Sequence, residues 1–207
     1  MTSLYDRFIL PPLIGCACAS RPIMKQRAKV VPLARGEVLE LGVGGGLNLA
    51  YYDAGQASRV RGIDPSVGLR ARALAAPRPE GLAVEIEEGE AEALPFEEAS
   101  FDTVVCTFTL CSVRDPAKAL AEARRVLKPG GTLLYSEHGR APDPGVARWQ
   151  GRIEPVWKRL AGGCHLTRAP TDLVREAGFD LDWSETMYLP GTPRLVGWAE
   201  WGSARRG

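Results

Sequence analysis

Between residues 37 and 138 the chain switches hydrophobic period repeatedly, from two residues to about 3.6 and back. That alternation limits the fold more than any other feature. Residues 37–41 (EVLEL), 59–63 (RVRGI), 82–87 (LAVEIE), 101–108 (FDTVVCTF) and 132–136 (TLLYS) read as short strands. The fourth is apolar enough to be buried on both faces. Helical stretches stand between them: one over 48–52, one over 67–75 rich in Ala, Leu and Arg, a faint third before residue 101, and one starting at Asp115-Pro116. In the last, Asp115 is the expected N-cap and Pro116 takes the first position. Leu120, Ala123, Val126 and Leu127 form its inner face, and Pro129-Gly130-Gly131 ends it. Strands alternating with helices predict an α/β fold, a parallel sheet covered on both faces and joined by right-handed crossovers.

The pattern changes beyond residue 138. Residues 146–160 (VARWQGRIEPVWKRL) are amphipathic but interrupted at Pro155, and 171–177 form a short helix with Thr171 as N-cap after Pro170. Residues 179–188 and 195–201 are two further strands, which the Pro190-Gly191-Thr192-Pro193 turn joins into a hairpin closing the sheet edge. A chain of 207 residues supports one domain. It divides into a lid region over 1–36, a core over 37–138, and substrate-side helices with the hairpin over 139–207.

Lys plus Arg number 26 against 25 Asp plus Glu, so no strongly electrostatic partner is expected, and nucleic acid least of all. The apolar run 8–19 (FILPPLIGCACA) is shorter than the roughly 20 residues that span a bilayer, and Pro11 and Pro12 break it. It is expected to be part of the fold, a flap over a pocket, with no stable membrane insertion. Five cysteines, an odd number with two in an apolar strand-like run, indicate reduced thiols and a cytoplasmic setting. No Cys or His pair stands at zinc-ligand spacing, so no metal site is expected.

Three segments carry chemistry. The first is Glu40-Leu41-Gly42-Val43-Gly44-Gly45-Gly46, where a strand gives way to a helix. Glycines there let backbone approach a ligand. The dinucleotide fingerprint G-x-G-x-x-G fails, because its third glycine would fall on Leu47 or Leu49. The spacing present is E-x-G-x-G-x-G, which suits a nucleoside without a pyrophosphate. The second is Asp64-Pro65, ending the second strand about 20 residues further on, where a carboxylate can accept both ribose hydroxyls. Its other readings are an N-cap for the helix beginning near Ser66 or an exposed turn. The third is Gly89-Glu90-Ala91, after the third strand. The Glu90 carboxylate can accept an exocyclic adenine amine and the Ala91 N–H can meet a ring nitrogen; a solvated acidic loop is the alternative.

Taken together, VLELGVGGG, GIDPS, GEAEALPF, FDTVVCTFTLCSV and RRVLKPGG resemble the class I S-adenosylmethionine-dependent methyltransferases of the type 11 group. The resemblance implies a Rossmann-like, seven-stranded, mostly parallel sheet of order 3-2-1-4-5-7-6 with its last strand antiparallel. It also implies S-adenosylmethionine as methyl donor and S-adenosylhomocysteine as product. VVCTFTLCS, Glu137-His138, WQ-x(3)-EP-x-WK and GC-x-LTR resemble more narrowly the methyltransferase-like proteins of animal microsomes, associated with methylation of small alkyl thiols. Those proteins carry a long hydrophobic N-terminal anchor, so membrane attachment does not carry over to this chain. Val43 also departs from the small polar residue or Cys often found there.

The candidate donor-binding set is Glu40, Gly42, Gly44, Gly46, Asn48, Asp64, Pro65, Glu90, Ala91 and Thr107. Methyl transfer from a sulfonium needs alignment and exclusion of water, and a base only where the acceptor is protonated. His138, at the end of the fifth strand, is the candidate catalytic base for a thiol, with a structural histidine as the alternative. His165 is a weaker candidate for the same catalytic role, Cys111 is expected to line the pocket, Trp149 and Trp157 to face a substrate cavity or pack in the core, and Arg168 to attract an anionic substrate group or lie on the surface. The expected function is transfer of a methyl group to a small molecule, a thiol or else an oxygen, nitrogen or lipid headgroup. A nicotinamide-dependent oxidoreductase and a non-catalytic nucleoside-binding module are the competing classes.

Overall fold

A computed structural model describes residues 18–207. Most of the apolar run 8–19, with Pro11 and Pro12, lies outside the described residues. Seven strands form one sheet: β1 (Gly36–Leu41), β2 (Ala57–Ile63), β3 (Ala83–Glu87), β4 (Phe101–Thr107), β5 (Leu127–His138), β6 (Phe179–Tyr188) and β7 (Trp198–Arg206). Their order is β3-β2-β1-β4-β5-β7-β6. β1 to β5 pair in parallel, and β7 runs antiparallel to both neighbours. The sheet and its order are those the family resemblance implies. Among the described residues five α-helices accompany it: α1 (Arg21–Val30), α2 (Val67–Ala75), α3 (Pro116–Val126), α4 (Pro144–Leu160) and α5 (Pro170–Glu176).

Period-two alternation in the inner strands feeds two cores. Leu39, Leu41, Val104, Cys106, Leu133 and Tyr135 point to one face, where Ala119, Leu120, Ala123 and Val126 of α3 cover them. Val38, Val60, Val105 and Leu134 point to the other and pack with Val30, Val31, Leu49 and Trp201. Burial of each such Leu or Val contributes about 1.5–3 kcal/mol. Asp115 caps α3 as expected, its Oδ1 accepting from Lys118 N at 3.0 Å.

Several local expectations fail for identifiable reasons. The helix expected over 48–52 is one 3₁₀ turn, Leu49–Tyr51. Gly42, Gly44 and Gly46 have φ of 63°, 55° and 78°, so the chain leaves β1 through a glycine loop rather than into a helix. No helix stands between β3 and β4; that connection is made of turns. Pro155 does not interrupt α4. It and Gly151, four residues earlier, are exposed, so the carbonyl left without an N–H faces solvent. Thr171 is not an N-cap, since α5 begins at Pro170 after Ala169. Its Oγ1 meets Tyr135 Oη at 3.1 Å and its N–H donates to Glu200 Oε2 at 3.0 Å. β7 starts three residues later than expected and extends to Arg206, because it pairs on both sides, with β5 and β6. Leu127 starts β5, and the 128–131 turn is a protrusion where the β4–β5 register shifts.

Candidate functional site

The strand order reverses between β1 and β4, and an open α/β sheet leaves a crevice at the carboxyl ends there. A cavity of about 610 Å³ occupies that place. Its wall is built from the loops after β1, β2, β3 and β4, with Cys18 and Arg27 from the N-terminal side and Gly162 from the segment after α4.

The β1 loop brings backbone to the wall. A Cβ added at Gly44 would meet nothing closer than Gly42 O at 3.8 Å, so this glycine presents bare backbone to the open cavity. Gly46 serves packing instead. A Cβ there would lie 2.7 Å from Ala76 Cβ and 2.9 Å from Ala73 Cα, so the loop can seat on α2 only without a side chain.

Asp64 ties two loops together. Its Oδ2 accepts from Gly44 N at 3.0 Å and its Oδ1 from Ser66 N at 2.8 Å, while its carbonyl accepts from Arg70 Nη1 at 2.7 Å. Each carboxylate oxygen retains a lone-pair direction beyond those bonds. Burial pushes the Asp64 carboxyl above its usual range, against the pull of the two N–H groups. The helix N-cap is Ser66, whose side chain accepts from Leu69 N, so Asp64 is left to the loop and the cavity. Pro65, Glu90 and Ala91 also line the cavity. Glu92, beside them, is engaged structurally and accepts from Arg114 N at 2.8 Å.

Beneath the wall lies a buried polar network that the sequence does not announce. Arg27 Nη1 donates to Asn48 Oδ1 at 2.9 Å and to Thr107 Oγ1 at 2.6 Å. Asn48 Nδ2 donates to Glu40 Oε1 and to Thr107 Oγ1, both at 2.9 Å, and Tyr52 Oη donates to Glu40 Oε2 at 2.7 Å. Glu40 is fully enclosed; burial lifts its carboxyl to about 7, although Tyr52, Arg27 and Asn48 pull it down. Burial lowers the Arg27 guanidinium from its ordinary value, and neighbouring acidic groups partly restore it. The guanidinium also lies 5.0 Å from the Phe108 ring centroid. Phe108 has φ of 52°, a strained backbone for a bulky residue, at the point where β4 ends on the cavity wall.

Of the expected donor-binding residues, the structure brings Gly42, Gly44, Asp64, Pro65, Glu90, Ala91 and Thr107 onto one cavity. Glu40 and Asn48 stand behind that wall, 1% exposed each, and hold the loop from inside. His138 is not on the wall either: its Nε2 lies 2.8 Å from Cys164 Sγ. His165 pairs with Glu154 Oε1 at 3.2 Å, and Trp149 faces solvent. Arg168 Nη1 donates to the Leu110 carbonyl. Cys18, from the run expected to flap over a pocket, does line the cavity, whereas sequence reasoning did not single out Arg27, which reaches it from a segment with no motif of its own.

A cavity with a carboxylate, bare glycine backbone and a second exposed carboxylate on successive strand ends suits a nucleoside. Comparisons with known proteins agree. A family model described as a methyltransferase domain matches residues 39–135. A thiol S-methyltransferase of Rattus norvegicus is 37% identical over 171 residues, covering 77% of this chain and 68% of that protein. A phosphatidylethanolamine N-methyltransferase of Cereibacter sphaeroides is 37% identical over 128 residues, covering 61% of this chain and 59% of that one. A solved S-adenosylmethionine-dependent methyltransferase of Thermotoga maritima superposes with a TM-score of 0.70 at 21% identity over the full length of both chains.

Proposed function

This chain belongs to the S-adenosylmethionine-dependent methyltransferases, and we propose that it passes the methyl group to the sulfur of a small alkyl thiol. The observation that carries the acceptor class is the 37% identity to a thiol S-methyltransferase over most of this chain. The donor, when bound, supplies an activated methyl group on a positively charged sulfur.

The chain's own residues divide the remaining work. Asp64 accepts from ribose hydroxyls with the lone pairs that Gly44 and Ser66 leave free. Gly42, Gly44 and Pro65 give close backbone contact, and Glu90 with the Ala91 N–H reads the adenine edge. Glu40, Gly46 and Asn48 act indirectly, by holding the loop in shape. Thr107 anchors Arg27, whose charge on the wall favours loss of the acceptor's thiol proton to solvent. His138 takes a positioning role: it fixes Cys164 next to the Gly162-Gly163 turn that borders the cavity. His138→Ala should therefore lower turnover while donor affinity holds.

The described cysteines 18, 106, 111 and 164 are free thiols, which supports a reducing compartment such as the cytoplasm. Among the described residues no helix is long and apolar enough to cross a membrane.

The experiment is a panel of acceptors with labelled donor: alkyl thiols, primary amines, phenols and phosphatidylethanolamine. Methyl thioether formed with a kcat/KM at least tenfold above every other acceptor is the expected result. Preference for the amine of phosphatidylethanolamine would favour the second reading, for which the Cereibacter relative is the observation. Donor binding without turnover on any acceptor would refute both.

A further inference from the structure

We infer that Cys111, His138 and Cys164 form a binding site for a zinc-class cation next to the cavity wall at Ser112 and Gly162, a property separate from methyl transfer. Their three donor atoms, two sulfurs and one imidazole nitrogen, lie within 4.8 Å of one another. A tetrahedral zinc ion, with bonds of about 2.3 Å to sulfur and 2.0–2.1 Å to nitrogen, sets such donors about 3.5–3.8 Å apart. The 2.8 Å gap between His138 Nε2 and Cys164 Sγ must then open by about 0.7 Å.

Backbone bonds hold the three ligands in register before any ion arrives. Glu137, the neighbour of His138 in β5, accepts from Thr109 N at 2.7 Å, Leu110 N at 3.0 Å and Cys111 N at 3.3 Å. That ties the Cys111 turn to the strand end carrying His138. His165 N donates to Cys111 O at 2.7 Å, which ties in the segment carrying Cys164. A site assembled by such bonds loses little freedom on binding, unlike a chance meeting of side chains.

The surroundings of Cys164 suit a coordinated sulfur. Trp157 Nε1, which can only donate, points its N–H at Cys164 Sγ from 3.3 Å. Charge also balances. A divalent ion with two thiolates and a neutral imidazole is neutral overall, and so burial there costs far less than burial of a lone charge. Two thiol protons would leave to solvent for each ion bound. Three protein ligands leave a fourth position open, as in zinc sites that exchange a ligand.

The test uses the full chain, freed of metal by chelator and kept under reductant, titrated with Co²⁺ as the probe. One equivalent should give thiolate-to-cobalt charge transfer in the near ultraviolet and tetrahedral bands in the visible, and Zn²⁺ should displace both. Cys111→Ser and Cys164→Ser, each checked for fold by circular dichroism, should weaken binding by about 100-fold or more. Cys18→Ser, a control at a thiol on the cavity wall outside the cluster, should keep the bands. Should the serine variants fail to fold, His138→Asn serves as the second probe, with the same loss expected. Absence of thiolate charge transfer in the wild type overturns the assignment, as do bands that persist in the serine or His138 variants or vanish in Cys18→Ser. None of these readouts requires a methyl acceptor, so failure of the thiol reading leaves the test intact.

Discussion

Replacing Asp64 by Asn perturbs one atom's chemistry and almost no volume, and so it isolates the charge at the end of β2. In the native loop each carboxylate oxygen accepts one backbone N–H, from Gly44 at 3.0 Å and Ser66 at 2.8 Å. The amide of Asn supplies one acceptor and one donor, so its NH₂ must face either the Gly44 or the Ser66 N–H, where two donors oppose each other. One ribose hydroxyl also loses its acceptor, and the other meets a neutral oxygen in place of a charged one. Hydrogen bonds to a charged group contribute about 1.5–3 kcal/mol each, so the combined loss in donor binding is about 3 kcal/mol, or roughly 100-fold in Kd. Titration calorimetry with S-adenosylmethionine measures this directly, and unfolding of the donor-free proteins shows whether the loop itself has suffered. Affinity within about twofold of the wild type, with the fold intact, would mean that Asp64 serves only the loop. Because burial raises the Asp64 carboxyl, wild-type donor affinity should begin to fall at a higher pH than for an ordinary Asp, and Asp64→Asn should show no such fall.

Glu40 has a carboxyl lifted from 4.5 to about 7, so the native state holds its proton more tightly than the unfolded chain does. Stability should therefore decline as pH rises through that window, by an amount on the order of 3 kcal/mol for this group; Glu40→Gln should remove that decline, and parallel unfolding curves at about pH 5 and about pH 8 would contradict it. Gly46→Ala places a Cβ 2.7 Å from Ala76 Cβ at a φ of 78°, which should cost about 1–3 kcal/mol in thermal unfolding and weaken donor binding as α2 is pushed away. Arg27→Met removes the positive charge from the wall, so the pH profile of kcat/KM for a thiol acceptor should move to higher pH. An unmoved profile would take Arg27 out of the proposed role.

How much of this was legible beforehand varies from residue to residue. The loop after β1 could be read because glycine spacing is a local backbone property. The Asp64 position could be read because a strand end is marked by its own Pro and by the change of period. The helix expected over 48–52 was misread because Asn48 and Tyr52 spend their polar groups on Glu40, a contact that forms only once β1 is in place. Pro155 misled for a similar reason, since its cost depends on whether the orphaned Gly151 carbonyl is solvated. Nothing in the spacing marked Cys111, His138 and Cys164 as neighbours: they are 27 and 26 residues apart and come from three separate segments.

The sequence by itself determined the succession of strands, the α3 cap, and the glycine loop and acidic strand end that line the cavity. These rest on interactions between residues close in the chain, which a short segment encodes wherever it is placed. Only the tertiary structure decided that Arg27 bonds Thr107 80 positions away, that Glu40 and Asn48 stand behind the wall, and that His138 turns toward Cys164 instead of the cavity. Those partners are fixed by the strand order and by which face of the sheet each side chain enters, and both follow from burial of the whole core.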